Sequence, residues 1–111
     1  MDGVIYMYDI NNIEYIKIST FNLIKRVIIY VGIREKQVSI DGQFKEVSID
    51  KIAELFNIIR DWNDAYYRYV LDAEMFSVSL IKDNQIVKRY KGIGNYPYNY
   101  NEFKKWISEI I

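Results

Sequence analysis

Two carboxylates in the middle of the chain are the first candidates for a catalytic pair. Asp61 and Asp64 bracket Trp62, close to the expected end of a helix. Two carboxyl groups held at a defined separation in a cleft can act as a general acid and a general base. Acids three residues apart are also typical of a solvated helix end, and we favour that interpretation. No regular run of oxygen ligands, as a calcium loop requires, accompanies them.

The segment Gly92-Ile93-Gly94 is the second candidate, because glycine-rich turns before helices bind phosphate groups. Such a loop offers backbone N–H groups and opens directly into a helix N-terminus. Here five residues, Pro97 among them, separate Gly94 from the first expected helical position, and no Lys-Ser or Lys-Thr pair follows. We therefore predict a strand-to-helix turn that needs positive φ.

Cysteine and histidine are both missing from the chain. Thiol chemistry, the usual zinc ligand sets and the commonest general base near neutral pH are therefore excluded. Ser77 and Ser79 lack the Gly-x-Ser-x-Gly context of a nucleophile, and without histidine either serine would need a buried lysine as its base. We predict that the protein is not an enzyme and has no catalytic residue, no metal ligand and no cofactor.

Tyrosines are the most suggestive polar side chains, because they cluster on both sides of a predicted hairpin and cannot all belong to the core. Tyrosine is enriched at recognition surfaces, where it offers a large rigid area with a polar tip. AT-rich coding and partial burial would account for the same residues. The predicted interaction surface consists of Asp61, Asp64, Tyr66, Tyr67, Tyr69, Tyr96 and Tyr98.

Bulk properties place the chain among small globular domains. A length of 111 residues indicates one domain, and an apolar fraction of 50% argues against disorder. Fifteen basic and fifteen acidic residues cancel, which argues against a nucleic-acid partner and against attraction to an anionic membrane. Met1-Asp2-Gly3 has no basic n-region, and no apolar run approaches the roughly 18 residues of a membrane span. We expect a cytoplasmic protein.

Several strands are predicted before the middle of the chain. Residues 4–8, 13–20, 26–34, 36–40 and 43–47 are rich in β-branched and aromatic residues or alternate between apolar and polar. Asp41-Gly42 separates the last two segments, and this pair favours a type I′ hairpin turn with positive φ at both positions.

A helix follows, with Ser48 as its expected N-cap and Asn63 as its expected end. Residues 64–73 read as a loop or a short irregular helix. The apolar positions of the predicted helix are Ile52, Leu55, Phe56, Ile59 and Trp62.

The closing segment changes its period twice. Alternation from Met75 onwards, with a turn at Asp83-Asn84, predicts a hairpin that Gly92-Ile93-Gly94 ends. Asn99 and Glu102 have the spacing of a capping box. The helix that they begin carries an apolar stripe of Tyr100, Phe103, Trp106, Ile107 and Ile110.

Together these elements predict one α+β domain that spans residues 1–111. Its antiparallel sheet has about five or six strands and carries two helices on one face, in the order strands, helix, hairpin, helix.

A series of residues in the second half has a recurring pattern. A helix ends near a tryptophan, Asp-Gly precedes a strand with an early aromatic residue, and Gly-x-Asn-x-Tyr-Pro leads into an Asn-capped aromatic helix. Here Ala73 and Gly94 replace the usual Gly and Asn. In this series the chain resembles small bacterial α+β proteins, some of which are immunity proteins of polymorphic toxin systems. The resemblance implies a fold and no catalytic residues. The matching residues are Trp62, Asp72, Phe76, Gly92, Tyr96, Pro97, Asn99, Tyr100 and Phe103.

Three function hypotheses remain open. The first is a non-catalytic protein-interaction protein, specifically an immunity or inhibitor protein that binds a toxin. The second is a small-molecule or peptide-binding module with an aromatic pocket near Trp62, Tyr67 and Tyr96. The third is a self-assembling structural protein that pairs strand edges such as residues 4–8. We expect another protein as the partner, neither nucleic acid nor membrane, and leave a homodimer open.

Overall fold

The computed structural model describes residues 12–71 and 73–111, which form a seven-stranded sheet with two helices on one face. The predicted α+β class and the helices on one face are confirmed, with seven strands in place of five or six. The elements are β1 (Tyr15–Phe21), β2 (Arg26–Gly32), β3 (Gln37–Ile40), β4 (Gln43–Glu46), α1 (Ile49–Ile59), β5 (Ala65–Tyr67), β6 (Met75–Lys82), β7 (Gln85–Ile93) and α2 (Tyr100–Ile110).

The strand order is β4-β3-β2-β1-β6-β7-β5, with β1 and β6 near the centre of the sheet. All neighbours are antiparallel except β5, which pairs in parallel with β7. β5 lies in the segment predicted as a loop or an irregular helix. The sequence did not reveal this strand, because three residues are too few to show a period of two. The predicted strand at residues 4–8 lies outside the described residues.

Two hairpin turns have the backbone that their residues predict. Asp41 and Gly42 have φ of 52° and 79°, and Asp83 and Asn84 have φ of 54° and 61°. Positive φ at both central positions matches the right-handed twist of the flanking strands. These turns set the registers of β3 with β4 and of β6 with β7.

The first helix begins as predicted but ends early. The hydroxyl of Ser48 accepts a hydrogen bond from the backbone N–H of Lys51 at 3.0 Å. The helix ends at Ile59 and not at Asn63, since the chain turns and the N–H of Trp62 donates to the carbonyl of Ile59 at 3.1 Å. This turn directs the indole of Trp62 into the core.

A cluster of aromatic rings fills the core next to this turn. Trp62 packs edge-on against Phe76, Tyr90 and Phe103, with ring centroids 5.5, 5.9 and 5.1 Å away. Edge-to-face geometry at such distances is the favoured arrangement of aromatic pairs. The cluster joins the turn after α1, the strands β6 and β7, and helix α2.

Asn99 does not form the predicted capping box. It precedes α2, but its side chain makes no capping hydrogen bond to that helix. Its amide oxygen accepts from the indole N–H of Trp62 at 2.6 Å, and its amide nitrogen donates to the carbonyl of Ile58 at 2.8 Å. The carbonyl of Ile58 belongs to the last turn of α1, where carbonyls have no partner within the helix. The buried amide therefore joins the end of α1 to the start of α2.

The other ends of the two helices are also joined. The indole N–H of Trp106 donates to the backbone carbonyl of Lys51 at 2.8 Å, and the ammonium of Lys51 pairs with the carboxylate of Glu109. The hydrogen bond between the ammonium of Lys51 and the carboxylate of Glu109 raises the pKa of Lys51 and lowers the pKa of Glu109. An exposed ion pair adds little stability, so the indole bond is the stronger of the two links.

Gly92 and Gly94 have two different functions in the fold. Gly94 has a φ of 73°, as predicted for the turn, and a Cβ there would lie 2.1 Å from the carbonyl oxygen of Arg68. Gly92 lies within β7, which continues to Ile93 and is not broken at Gly92 as predicted. A Cβ on Gly92 would lie 2.3 Å from the ring of Phe76, so this glycine makes room for the aromatic cluster.

Removing the amide of Asn99 should destabilise the protein strongly. Asn99→Ala leaves the indole N–H of Trp62 and the carbonyl of Ile58 buried without partners, and we expect a loss of about 3 kcal/mol in the free energy of unfolding. Urea denaturation measures it. Asn57→Ala, on the exposed side of α1, should change stability by less than about 0.5 kcal/mol. Equal effects of the two substitutions would refute the structural role of Asn99.

A methyl group at Gly92 should be costly because the ring of Phe76 is held on several sides. We expect Gly92→Ala to lower the free energy of unfolding by about 3 kcal/mol through overpacking. Gly42→Ala is the control, since a Cβ there meets nothing within 4 Å and only the positive φ is strained. That strain costs about 1 kcal/mol. A smaller loss for Gly92→Ala than for Gly42→Ala would contradict the packing argument.

Candidate interaction surface

Two of the predicted surface tyrosines support the core. Tyr66 and Tyr96 are partly buried, and their ring centroids lie 6.4 and 6.2 Å from that of Phe76. The hydroxyl of Tyr66 accepts from the backbone N–H of Asn63 at 2.8 Å, and the hydroxyl of Tyr96 donates to the carbonyl of Glu74 at 2.8 Å. Both rings therefore face the aromatic cluster, and little of either is left for a partner.

The two predicted acids each face a different cation. The carboxylate of Asp61 lies 3.7 Å from the guanidinium of Arg60, its neighbour in the chain. The carboxylate of Asp64 pairs with the ammonium of Lys88 on β7. Both acids are exposed, so each is screened by solvent and paired locally. This arrangement fits the solvated helix end that we favoured.

The other three predicted tyrosines are exposed but do not lie together. Tyr98 is 85% exposed and borders an opening between α1 and α2 that Glu102 and Trp106 also line. Tyr67 and Tyr69 lie at the far edge of the sheet, on and just after β5. Tyr67 follows Tyr66 in the strand and so faces the side away from the core. Trp62, Tyr67 and Tyr96 consequently do not line one pocket.

One end of the sheet carries a group of eight exposed apolar side chains. A continuous register links Phe21 on β1 to Met75 on β6, Met75 to Ile93 on β7, and Ile93 to Tyr67 on β5. The β1–β2 turn and the segment after β5 extend beyond this row. We call this surface the apolar end, and its residues are Leu23, Ile24, Tyr67, Tyr69, Val70, Leu71, Met75 and Ile93.

The exposure of the apolar end is unusual in extent. Ile24 is 95% exposed, Tyr69 93% and Leu71 77%. In the described part of the chain sixteen large apolar side chains are exposed, and eight of them belong to the apolar end. Scattered exposed apolar residues need no explanation, but eight at one end of a sheet make that end a candidate binding surface.

Leu23 and Ile24 were missed by sequence reasoning, although the tip that presents them is well formed. The side-chain oxygen of Asn22 accepts hydrogen bonds from the backbone N–H groups of Ile24 and Lys25, both at 2.9 Å. This local pattern fixes the turn. The sequence feature that could have indicated them is an apolar pair in a turn, where polar residues are usual.

A small cavity of about 170 Å³ opens beneath the tip, between β1 and α2. Glu74 lines one wall of the cavity, and its carboxylate and its backbone carbonyl both accept hydrogen bonds. Its carboxylate accepts from the hydroxyl of Tyr100 and lies 3.3 Å from the ammonium of Lys104. The rings of Tyr96 and Tyr100 stack with centroids 4.7 Å apart. These contacts fix the start of β6 to the helix layer, so the apolar end rests on a firm base.

Burial raises the pKa of the Tyr100 phenol well above its usual range, and the hydrogen bond to Glu74 raises it further. The hydroxyl therefore stays protonated and keeps donating to the carboxylate across the physiological range.

Most residues of the pattern named for the second half of the chain lie together in the core. Trp62, Phe76, Tyr100 and Phe103 are in ring contact, and Gly92 makes room for Phe76. Asp72 lies outside the described residues. The shared pattern therefore concerns packing at the helix–sheet junction and not an exposed site.

No match to this chain is found among protein-family models, among curated proteins or among solved structures. Any proposal for its function therefore depends on its own surface.

Two further observations concern the described residues. None of their acidic side chains form a group of three or more that could hold a metal ion. Neither α1 nor α2 is long and apolar enough to cross a bilayer.

The raised pKa of Tyr100 predicts a specific loss of stability at high pH. The folded state holds the phenolic proton of Tyr100 more tightly than the unfolded state, in which tyrosines titrate at about pH 10. The contribution of Tyr100 is thus fully present below that pH and declines above it. Tyr100→Phe should lower the unfolding free energy by about 2 kcal/mol near pH 8. This deficit should shrink near pH 11.

Urea denaturation at the two pH values measures the difference. Tyr98→Phe is the matched control, because that ring is exposed, and its stability should follow the wild type at both. A deficit for Tyr100→Phe that stays constant or grows with pH would contradict the assignment.

Proposed function

We propose that this protein is a non-catalytic protein-interaction protein whose apolar end binds the partner. Of the large apolar side chains exposed in residues 12–71 and 73–111, half lie at one end of the sheet, and this concentration supports the proposal. Burying such side chains against a partner is worth about 25 cal/mol per Å² of apolar surface removed from water.

The composition of the apolar end suits a protein partner. Tyrosine and methionine are enriched at protein interfaces, and here Tyr67, Tyr69 and Met75 accompany aliphatic residues. The tip is held by Asn22, so Leu23 and Ile24 do not have to be ordered on binding. A preformed surface loses less conformational entropy and therefore binds more tightly for the same area.

The specific role that we propose is that of an immunity or inhibitor protein, which binds a toxin and blocks it. Such a role needs a stable scaffold and an exposed surface and no chemistry of its own. The absence of cysteine and histidine and the resemblance of the second half to immunity proteins support it. The partner would then be another protein of the same cell.

Binding to candidate toxins encoded by neighbouring genes tests this role. We expect one of them to form a complex with the wild-type protein at micromolar concentration or below, measured by titration calorimetry. The double substitution Leu23→Ser with Ile24→Ser should weaken that complex at least about tenfold, because apolar residues at the centre of an interface carry most of its energy.

The matched control uses the hairpin at the opposite end of the sheet. Ile86 and Val87 are also adjacent, apolar and about half exposed, and Ile86→Ser with Val87→Ser should leave the affinity unchanged. Failure of every candidate to bind would refute the toxin-binding role. Equal loss in the two double variants would refute the apolar end as the binding surface.

A further inference from the structure

The face of the sheet that the helices leave open carries four cations. On β1, Ile16 and Ile18 are fully buried, so Lys17 between them faces the open side. Register then places Arg89 and Lys91 of β7 on the same face, through Ser79 and Ser77 of β6. Arg26 of β2 lies opposite Phe21 on this face. All four side chains reach solvent.

Small hydroxyl side chains form the floor between these cations. Ser19 of β1 pairs directly with Ser77 of β6, and Ser79 lies between Lys17 and Arg89. The guanidinium of Arg89 donates from Nε to the hydroxyl of Ser79 at 3.3 Å. We call this centre of the open face, with its small hydroxyl side chains and the cations around them, the trough. Ser79 is buried at its base, and Ser19 and Ser77 are partly exposed.

Two of the four cations lie over aromatic rings. The ammonium of Lys17 lies 5.6 Å from the ring centroid of Tyr30, and the guanidinium of Arg26 lies 5.2 Å from that of Phe21. Within residues 12–71 and 73–111, none of the four takes part in an ion pair. Their charge is consequently uncompensated, although the whole chain is neutral.

Exposed rings stand at one side of the trough. Tyr15, Tyr30 and Phe44 surround Gly32, and together they line an apolar depression of about 120 Å³. They are between 40% and 69% exposed, so flat ring surface is available to a ligand. The carboxylate of Glu35 also lies in this depression, since its Oε1 is 2.8 Å from where a Cβ on Gly32 would stand. It lies just beyond the end of β2, which is three strands away from the β7 strand of Arg89 and Lys91.

From this arrangement we propose that the open face of the sheet binds single-stranded nucleic acid. The phosphates lie along the four cations, Arg26 included, over the serine floor, and bases stack on Tyr15, Tyr30 and Phe44. Cations that follow a backbone beside aromatic rings that stack bases are the two components of single-strand binding surfaces. The neutral total charge argued against such a partner in the sequence, but the electrostatic contribution to binding depends on the cations that contact phosphate.

This proposal concerns a different set of side chains from the apolar end and goes beyond the function proposed above. The two sets adjoin on the open face, where Ile93 follows Lys91 by two residues on β7 and Met75 lies opposite Phe21. An acidic protein segment would also be attracted by the cations, but its carboxylate side chains do not stack on the exposed rings beside them as bases do. Stacking is thus the property that separates the two kinds of ligand.

Fluorescence anisotropy with a labelled oligothymidine of about 20 nucleotides, long enough for one site, tests the proposal on the full chain. If about four cations contact phosphate, the logarithm of the binding constant should fall with the logarithm of salt concentration with a slope near −2.8. The double substitution Arg89→Ala with Lys91→Ala should bring the slope to about −1.4. Tyr30→Ala should weaken binding about tenfold by loss of stacking.

Three controls make the result specific. Lys105→Ala removes an exposed cation from α2, in the other layer, and should keep the wild-type slope. Leu23→Ser with Ile24→Ser should keep oligonucleotide binding, so that failure of one surface does not count against the other. Circular dichroism must show that every variant is folded.

The proposal is overturned by no binding at about 100 µM protein in low salt, the weak limit of non-specific association. Equal affinity for polyglutamate of matched charge would overturn it in favour of acidic protein. So would equal slopes for the Lys105 variant and the Arg89–Lys91 variant, since any surface cation would then serve.

Discussion

The structure depends on one buried amide. The side chain of Asn99 accepts from the indole of Trp62 and donates to the last turn of α1. Trp62 can only donate and the carbonyl of Ile58 can only accept, so a group with one acceptor and one donor is required, and asparagine has both. This bond places the indole among the rings of Phe76 and Phe103, and in doing so it fixes both helices against the same face of the sheet.

Placing both helices on one side has consequences for the rest of the surface. Among the described residues the core lies between the helices and one face of the sheet, and none of the described helices or strands covers the other face. Antiparallel sheets tolerate this because their strands alternate between buried and solvated residues. The cations and tyrosines of the open face and the residues of the apolar end are thus available to ligands as a result of how the core is built.

The two surfaces that we propose as binding sites differ in physical character. The apolar end would bind by removing aliphatic and aromatic groups from water, and its affinity should depend little on salt. The open face would bind through cations and exposed rings, and its affinity should fall steeply with salt. Both surfaces are supported from beneath by regular structure, the first by Glu74 and its tyrosine partners and the second by the central strands.

Local signals in the sequence determined most of the elements and little of the candidate surface. Period-two alternation, two-residue turns such as Asp41-Gly42 and the cap at Ser48 depend on neighbours a few residues away, and the structure confirms them. Missing cysteine and histidine likewise removed whole classes of chemistry. The hydrogen bonds of Asn99 could be found only from the tertiary structure, because its partner Trp62 lies 37 residues earlier in the chain. The tertiary structure alone determined the clearance at Gly92, the parallel strand β5 and the position of Leu23 and Tyr69 at the same end of the sheet, because these depend on residues that packing brings together.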